Sequence, residues 1–380
     1  VSLSAVKAAR RRRDQAVTAC CLAAAALGDP DLSGHRRSKM LMNCLGALTA
    51  TFVVGEAPTM AQFRRGLQGR LGDLLPYEVR VEGLDDVVLL DDVGQMSDEA
   101  WDLAAEHSVP SAAFEEHWPW ARVATEQEER RLFEVMRRMP QADYTRAREL
   151  LVEAPSGDLR KLRRTWDNLW GRVEPYEPIV QWNWCQLQGF WFPCPACRWP
   201  MRVTVHGTVA DIRCEAHARA GISYTCRVGG FSDRAPTLHP AGHDAPRVRG
   251  VHATAECLAV SRAVWRYVTL PGMLECELRD HARAQGAEVT MWPHKDRYDL
   301  KITLGARVWK VDAKAWASPV ALADALRERE SPEPGLIIVI PDHQRSSASL
   351  VADAIRPAGY RLMVMADIKA AIVEAGRETR

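Results

Sequence analysis

Tyr298-Asp-Leu-Lys-Ile-Thr-Leu-Gly-Ala-Arg-Val-Trp-Lys-Val-Asp-Ala-Lys314 is the stretch on which fold and chemistry turn. Its one turn signal is Gly305-Ala306, flanked on both sides by β-branched and apolar residues, which predicts a hairpin with a two-residue loop. Leu304 then pairs with Arg307, and counting outward sets Asp299 opposite Asp312. Directly opposed residues of an antiparallel pair share a sheet face with Cβ atoms about 5 Å apart. Alternation puts Leu300, Ile302, Leu304, Trp309 and Val311 on one face, and Asp299, Lys301, Thr303, Lys310, Asp312 and Lys314 on the other. The first face is expected to go to a core and the second to chemistry. A half-exposed hairpin with a mixed-charge wet side is the plain alternative. Opposed carboxylates destabilise a hairpin unless something binds between them, and a hard divalent cation with oxygen ligands suits that place. Mg²⁺ or Mn²⁺ held there can activate a water and neutralise charge on a phosphate, and Lys314 can orient that water.

The surrounding residues predict more of the same domain. A helix is expected over Pro271 to Gln285, with Leu274, Leu278 and Ala282 on one face and Gly286 at the C-cap. A strand follows at Val289 to Trp292, then the hairpin, then a helix over Pro319 to Arg327 capped by Ser318. The apolar run Gly335 to Pro341 reads as a strand buried on both faces, followed by a helix near Ala348 to Ile355, a strand at Arg361 to Met365 and a last helix. This αβββαβ order, with Tyr298-Asp299 and Asp312-Ala313-Lys314 as its two motifs, resembles the PD-(D/E)XK nuclease superfamily. That resemblance implies a further acid from the first helix. Glu275 and Glu277 both flank the apolar stripe, so helical geometry leaves them level. Resolvase-like members carry Glu-x-Glu-Leu there and use the first glutamate, which implies Glu275. The polar loop His294 to Arg297 has a substrate-phosphate role and plain solvent exposure as its two readings.

Upstream, Cys194-Pro-Ala-Cys197 and Cys214-Glu-Ala-His217 flank two short β-like runs, Met201 to Val205 and Val209 to Arg213. Cys-x-x-Cys presents two thiolates from one tight turn, and a hairpin can deliver the second pair at tetrahedral geometry, so a structural Zn²⁺ ribbon is expected. Cys226 and His206 are alternative ligands. Trp182, Trp184, Phe190, Trp191, Phe192 and Trp199 crowd this module. They are expected to form its small core, with base stacking as the other reading. The remaining cysteines show no disulfide framework.

A chain of 380 residues, 47% hydrophobic and 26% charged, fits two or three globular domains, and the net charge of +1 hides local basic runs. One is Arg10 to Arg13; the other is Arg160, Lys161, Arg163, Arg164 and Arg172 around Trp166 and Trp170. Each is either a nucleic-acid contact or a solvated helix face. Ala16 to Leu27 after the first run imitates an export signal, but it is short, alanine-rich and interrupted by Thr18, and Asp14 and Gln15 stand where such signals turn apolar, so an amphipathic helix and a cytoplasmic protein are expected. No transmembrane span is predicted. The fold expected is multidomain α+β: a mainly helical region over 1–178 with a strand-like Val79 to Leu90, a zinc-ribbon module over 179–253 and a nuclease domain over 254–380. Helices are expected at Glu126 to Arg138 and Tyr144 to Val152.

Tyr144 to Pro155 (Tyr-Thr-Arg-Ala-Arg-Glu-Leu-Leu-Val-Glu-Ala-Pro), the ribbon Cys194 to Met201, Asp296-Arg-Tyr-Asp-Leu300 and Val311-Asp-Ala-Lys-Ala-Trp316 together resemble the restriction-endonuclease-like proteins encoded beside bacterial pPIWI-RE proteins. The resemblance implies an antiviral or genome-conflict role with an Argonaute-like pPIWI-RE partner and an XPD-like helicase. A Mg²⁺-dependent nuclease follows, acting on DNA before RNA, with Asp299 and Asp312 on the metal, Lys314 on the water and Glu275 assisting. A junction or structure-specific resolvase, and a non-catalytic nucleic-acid-binding scaffold, are the alternatives.

Overall fold

The computed structural model describes residues 3–29, 32–53, 56–80, 84–91, 94–107, 131–166, 175–218, 221–229, 235–240, 245–316, 318–329 and 333–379. It is a mixed helix and sheet structure, and the chain passes twice through each of two compact units. One unit comprises Val1–Arg122 and Lys314–Ile368; the other comprises Val123–Ala313 and Lys369–Arg380.

The first unit is built around the helix Leu3–Gly28. Every residue from Ala16 to Ala26 on it is buried, so over this stretch it is a core helix and not the amphipathic helix expected from the sequence. Its alanines explain the difference. Small side chains on all faces let the helices Gly34–Thr49 and Asp98–His107 pack close on different sides. Arg13 bonds Asp324 at 2.8 Å and Arg10 pairs with Glu328, so part of the first basic run is spent on ion pairs inside the unit. The stretch Val79 to Leu90, strand-like in the sequence, forms no strand among its described residues. Val88 and Leu90 make isolated bridges to Arg70 and Met96, and Tyr77–Val79 is a 3₁₀ turn. Ser318 caps Pro319–Arg327 through the Ala321 amide at 3.2 Å, as its sequence position predicts. Leu336–Ile340 is buried at all five positions and pairs in parallel with Arg361–Val364.

In the second unit the helix Gln141–Glu153 buries Tyr144, Ala147, Arg148, Leu150, Leu151 and Val152. Residues 131–138 are helical, as expected, and residues 126–130 of that expected helix lie outside the described residues. The helix foreseen from Pro271 starts nine residues earlier, at Arg262, capped by Ser261, whose hydroxyl accepts from the Val264 amide. The chain runs through Arg262–Val264 and a wide π turn, Trp265–Thr269, into Leu270–Ala284. A proline inside a helix has no amide to donate and its ring crowds the carbonyl four residues back. The π turn just before Pro271 absorbs that mismatch without ending the helix. Gly286, at φ 86°, closes it in the left-handed conformation glycine favours.

An antiparallel meander follows: Glu288–Met291, Leu300–Leu304 and Arg307–Ala313. Leu304 pairs with Arg307 and Leu300 with Val311, the register read from the sequence. Gly305 takes φ 58° at the first loop position, where a side chain would be strained. Besides the short pair Thr237–Leu238 and Val248–Arg249, the described residues of the ribbon region form two small sheets. Gln186–Leu187, Phe190–Trp191 and Val251–His252 form one. Arg202–His206, Val209–Arg213 and the unforeseen Ser223–Arg227 form the other. His206 pairs with Val209, so the hairpin loop is Gly207-Thr208, one residue shorter than expected.

The aromatic residues of the ribbon pack as a core. Trp199 stacks on Trp265 with ring centroids 4.2 Å apart, and its Nε1 donates to the Val260 carbonyl at 2.9 Å. Trp184 lies 5.2 Å from Trp199, and Phe190, Trp191 and Phe192 are buried. Trp199→Ala therefore removes a fully buried indole and a satisfied donor. Its expected cost is about 3–5 kcal/mol, read as a lower midpoint in denaturant titration.

Candidate functional site

The Gly305 hairpin carries two carboxylates at its open end. The strand pairing ends at Leu300–Val311; one residue beyond it the Asp299 amide donates to the Val311 carbonyl at 3.0 Å, out of step with the ladder, so Asp299 lies beside the end of the Arg307–Ala313 strand and not in the direct pairing with Asp312 expected from the sequence. The Ala313 amide donates to Asp299 Oδ2 at 2.6 Å. Both aspartates are buried, at 4% and 2% exposure, so the face expected to be wet is enclosed at this end. Lys301 on the same face is exposed, while Val311, Asp312 and Ala313 are buried in succession. Strict alternation fails there because both faces of the strand end are covered. Asp299 thus bonds the residues on both sides of Asp312, and two buried carboxylates so placed are a donor set suited to Mg²⁺ or Mn²⁺. Lys314 leaves the strand with its amide bonded to the Val339 carbonyl at 2.8 Å.

Glu275 and Glu277, level in the sequence, are separated by the structure. Glu275 is 1% exposed, whereas Glu277 is at the surface in an ion pair with Lys369. Arg148 Nη2 donates to both oxygens of Glu275, at 3.1 and 3.3 Å, and Trp292 Nε1 donates to Oε2. Arg148 Nη1 also binds Asp296, and its guanidinium lies 4.9 Å from the Trp292 ring centre. Burial works against the charge of Arg148. Glu275, Asp296, Tyr144 and Asp299 outweigh it and hold the guanidinium protonated well above the usual arginine range.

The loop joining Glu288–Met291 to Leu300–Leu304 is closed at its neck by the Trp292 amide on the Asp299 carbonyl, 2.7 Å. Within it Trp292, His294, Lys295 and Asp296 all have positive φ, between 46° and 76°. None is glycine, and each left-handed residue costs roughly 1–2 kcal/mol. Lys295 is engaged internally, its amide on Gln141 Oε1 at 2.9 Å and its Nζ on the Arg137 carbonyl at 2.7 Å. Of the polar loop His294 to Arg297, the two exposed side chains are His294 and Arg297.

The ribbon brings Cys194, Cys197, Cys214 and His217 together, their ligand atoms all within 4.8 Å of one another. Among the described residues this is the one group of three or more His, Cys, Asp or Glu so placed. Cys197 and Cys214 sulfurs are 3.7 Å apart, and His217 Nδ1 lies 3.3 Å from Cys214 and 3.7 Å from Cys194. Sulfurs 2.3 Å from a tetrahedral centre are spaced about 3.8 Å, so the cluster matches a closed four-ligand Zn²⁺ site. Burial pushes the Cys197 thiol up to about 12, while hydrogen bonds from Cys197 and Cys214 hold Cys194 well below the usual thiol range. A cation resolves that competition for one proton. Cys226 and His206 stay outside the cluster; His206 is exposed, 3.9 Å from Asp211. All ten cysteines are free of disulfides.

The region holding the aspartate pair matches a known family. Residues 272–380 match the family described as "REase associating with pPIWI_RE", a restriction-endonuclease-type domain. Glu275, Asp299, Asp312 and Lys314 all fall inside the matched residues, while the ribbon and Arg148 lie before them. No curated protein and no solved structure matches the chain. No helix of the described residues is long and apolar enough to cross a membrane.

Arg148 is the residue at this site that the sequence did not single out. Its signal was present: it follows Tyr144 by four and precedes Leu151 by three, a charged residue on the buried stripe of its helix. Such a position needs a buried acid as partner.

Proposed function

We propose that the chain is a Mg²⁺- or Mn²⁺-dependent nuclease acting on DNA, in the cytoplasm, within a defence system that includes an Argonaute-like pPIWI-RE protein and an XPD-like helicase. The observation that carries the proposal is the burial of two neighbouring aspartates inside the restriction-endonuclease-type match, Asp299 bonding Val311 and Ala313 on either side of Asp312. Asp299 and Asp312 would hold the ion, which supplies an activated water and charge neutralisation at the phosphate. Lys314, two residues along the strand from Asp312, would orient the water, and Glu275 would assist from its helix. Cys194, Cys197, Cys214 and His217 would hold a structural Zn²⁺. The domain assignment that goes with this is 1–178, 179–253 and 254–380. The test is incubation of purified chain with single-stranded, duplex, hybrid and branched nucleic acids and Mg²⁺ or Mn²⁺, with and without its partners. Divalent-dependent cleavage of at least one substrate is expected; none under any condition contradicts the proposal. The non-catalytic scaffold has one observation in its favour, the engagement of both Glu275 oxygens by Arg148 and Trp292.

The helix Leu159–Trp166 buries Leu162 and exposes Arg160, Lys161, Arg163 and Arg164, which suits it to a phosphate backbone. Arg172 of the same basic run lies outside the described residues. Replacing Lys161, Arg163 and Arg164 with Ala is expected to raise KM with kcat unchanged. The log–log slope of duplex-DNA affinity against salt should fall by up to about 2.7, at roughly 0.9 per phosphate contact. An unchanged slope rules these residues out as contacts.

A further inference from the structure

We infer that Arg148 and Gln141 are positioning residues of the proposed metal site, holding in place the left-handed loop that ends at Asp299 and the carboxylate of Glu275. The inference rests on the nuclease reading and extends it to a helix outside the family match.

The loop from Trp292 to Asp299 places the first aspartate, and its backbone conformation is one that non-glycine residues adopt only when held. The holding groups all come from one side. Gln141 grips the loop twice, its Nε2 on the Trp292 carbonyl and its Oε1 under the Lys295 amide, both at 2.9 Å. The Arg137 carbonyl takes Lys295 Nζ at 2.7 Å. Arg148 forks between Asp296 in the loop and Glu275 on the neighbouring helix, and its guanidinium covers the Trp292 ring. One arginine thus sets the loop and the helix acid relative to each other. A planar fork is needed, because a point charge cannot bond both acids in fixed geometry. The loop's end is fixed in turn: the Trp292 amide holds the Asp299 carbonyl, and Asp299 accepts from Ala313 on the Asp312 strand. Displacement of the loop therefore moves one ligand of the pair and leaves the other in its strand. Groups that orient metal ligands from behind commonly change metal affinity without touching the ion.

Gln141→Ala and Arg148→Lys in the zinc-loaded full chain test this. Gln141→Ala removes the loop grip without stranding a buried charge, and Arg148→Lys keeps the charge and removes the fork. Mn²⁺ titration calorimetry, amide hydrogen exchange over Trp292–Asp299, denaturant midpoint, kcat and KM are measured, with Asp312→Ala as the control that lacks the site. The expected result is Mn²⁺ binding weakened about tenfold to hundredfold in both variants. Exchange should be faster within the loop, kcat lower and KM for nucleic acid parental, with a near-parental denaturant midpoint for Gln141→Ala. Parental Mn²⁺ affinity in Gln141→Ala, or in folded Arg148→Lys, overturns the inference. If Arg148→Lys does not fold, Gln141→Ala decides alone. A parent whose Mn²⁺ titration equals that of Asp312→Ala overturns the metal site itself, and the inference falls with it.

Discussion

Asp312→Ala is expected to lower the cleavage rate by on the order of a thousandfold or more on whichever substrate the parent cuts best. Loss of one of two carboxylates from a metal site forfeits several kcal/mol of transition-state stabilisation, and about 4 kcal/mol corresponds to a thousandfold in rate. The fold should survive. Asp312 is 2% exposed and lies between the two residues that Asp299, a second buried carboxylate, bonds, so its removal relieves like-charge repulsion and offsets the small cavity left behind. The prediction is thus an inactive protein with a denaturant midpoint equal to or above the parent's. Ca²⁺ in place of Mg²⁺ should give the complementary result, nucleic-acid binding with little cleavage, because its looser coordination organises the attacking water poorly. A variant that cleaves at the parental rate places the chemistry elsewhere in the chain.

Removal of the ribbon ion is expected to have the largest effect on stability. Closed four-ligand Zn²⁺ sites contribute about 10–16 kcal/mol of apparent binding free energy in isolated fingers at neutral pH, and that binding is coupled to folding. Elemental analysis should find one zinc per chain. Chelation should then unfold the ribbon, and the emission of Trp184, Trp191 and Trp199 should shift to the red as their packing opens. Cys197→Ser should do the same without chelator. Acid should mimic chelation, since protons compete with the metal for thiolates and imidazole, so zinc is retained at neutral pH and lost as the pH falls. Full zinc occupancy in the Cys197→Ser variant would remove that residue from the ligand set.

The hairpin was legible because a single glycine, Gly305, punctuates two alternating runs, and a one-residue slip would have turned every core side chain outward. Leu336–Ile340 was legible for a similar reason, as an uninterrupted apolar run admits little but a strand covered on both faces. The gathering of Cys194, Cys197, Cys214 and His217 followed from spacing alone. What stayed hidden depends on partners distant in sequence. Arg148 and Glu275 are 127 positions apart, and no local pattern pairs them. The left-handed loop contains no glycine to announce it; its conformation is imposed by Gln141 and Arg148. Pro271 looked like a helix start because its usual place is the first turn, whereas here a π turn carries the helix past it. The burial of Ala16 to Ala26 was masked by its alanines, which give a weak apolar signal and still permit close packing on every face.

Anomalous diffraction from crystals of the zinc-loaded chain soaked in Mn²⁺ tests the central claim, that the hairpin's aspartate pair is a divalent-cation site, most directly. The account predicts a manganese peak about 2.1 Å from carboxylate oxygens of both Asp299 and Asp312. It predicts a separate zinc peak among Cys194, Cys197, Cys214 and His217. Absence of manganese from the aspartate pair, at concentrations that support cleavage in solution, would contradict it.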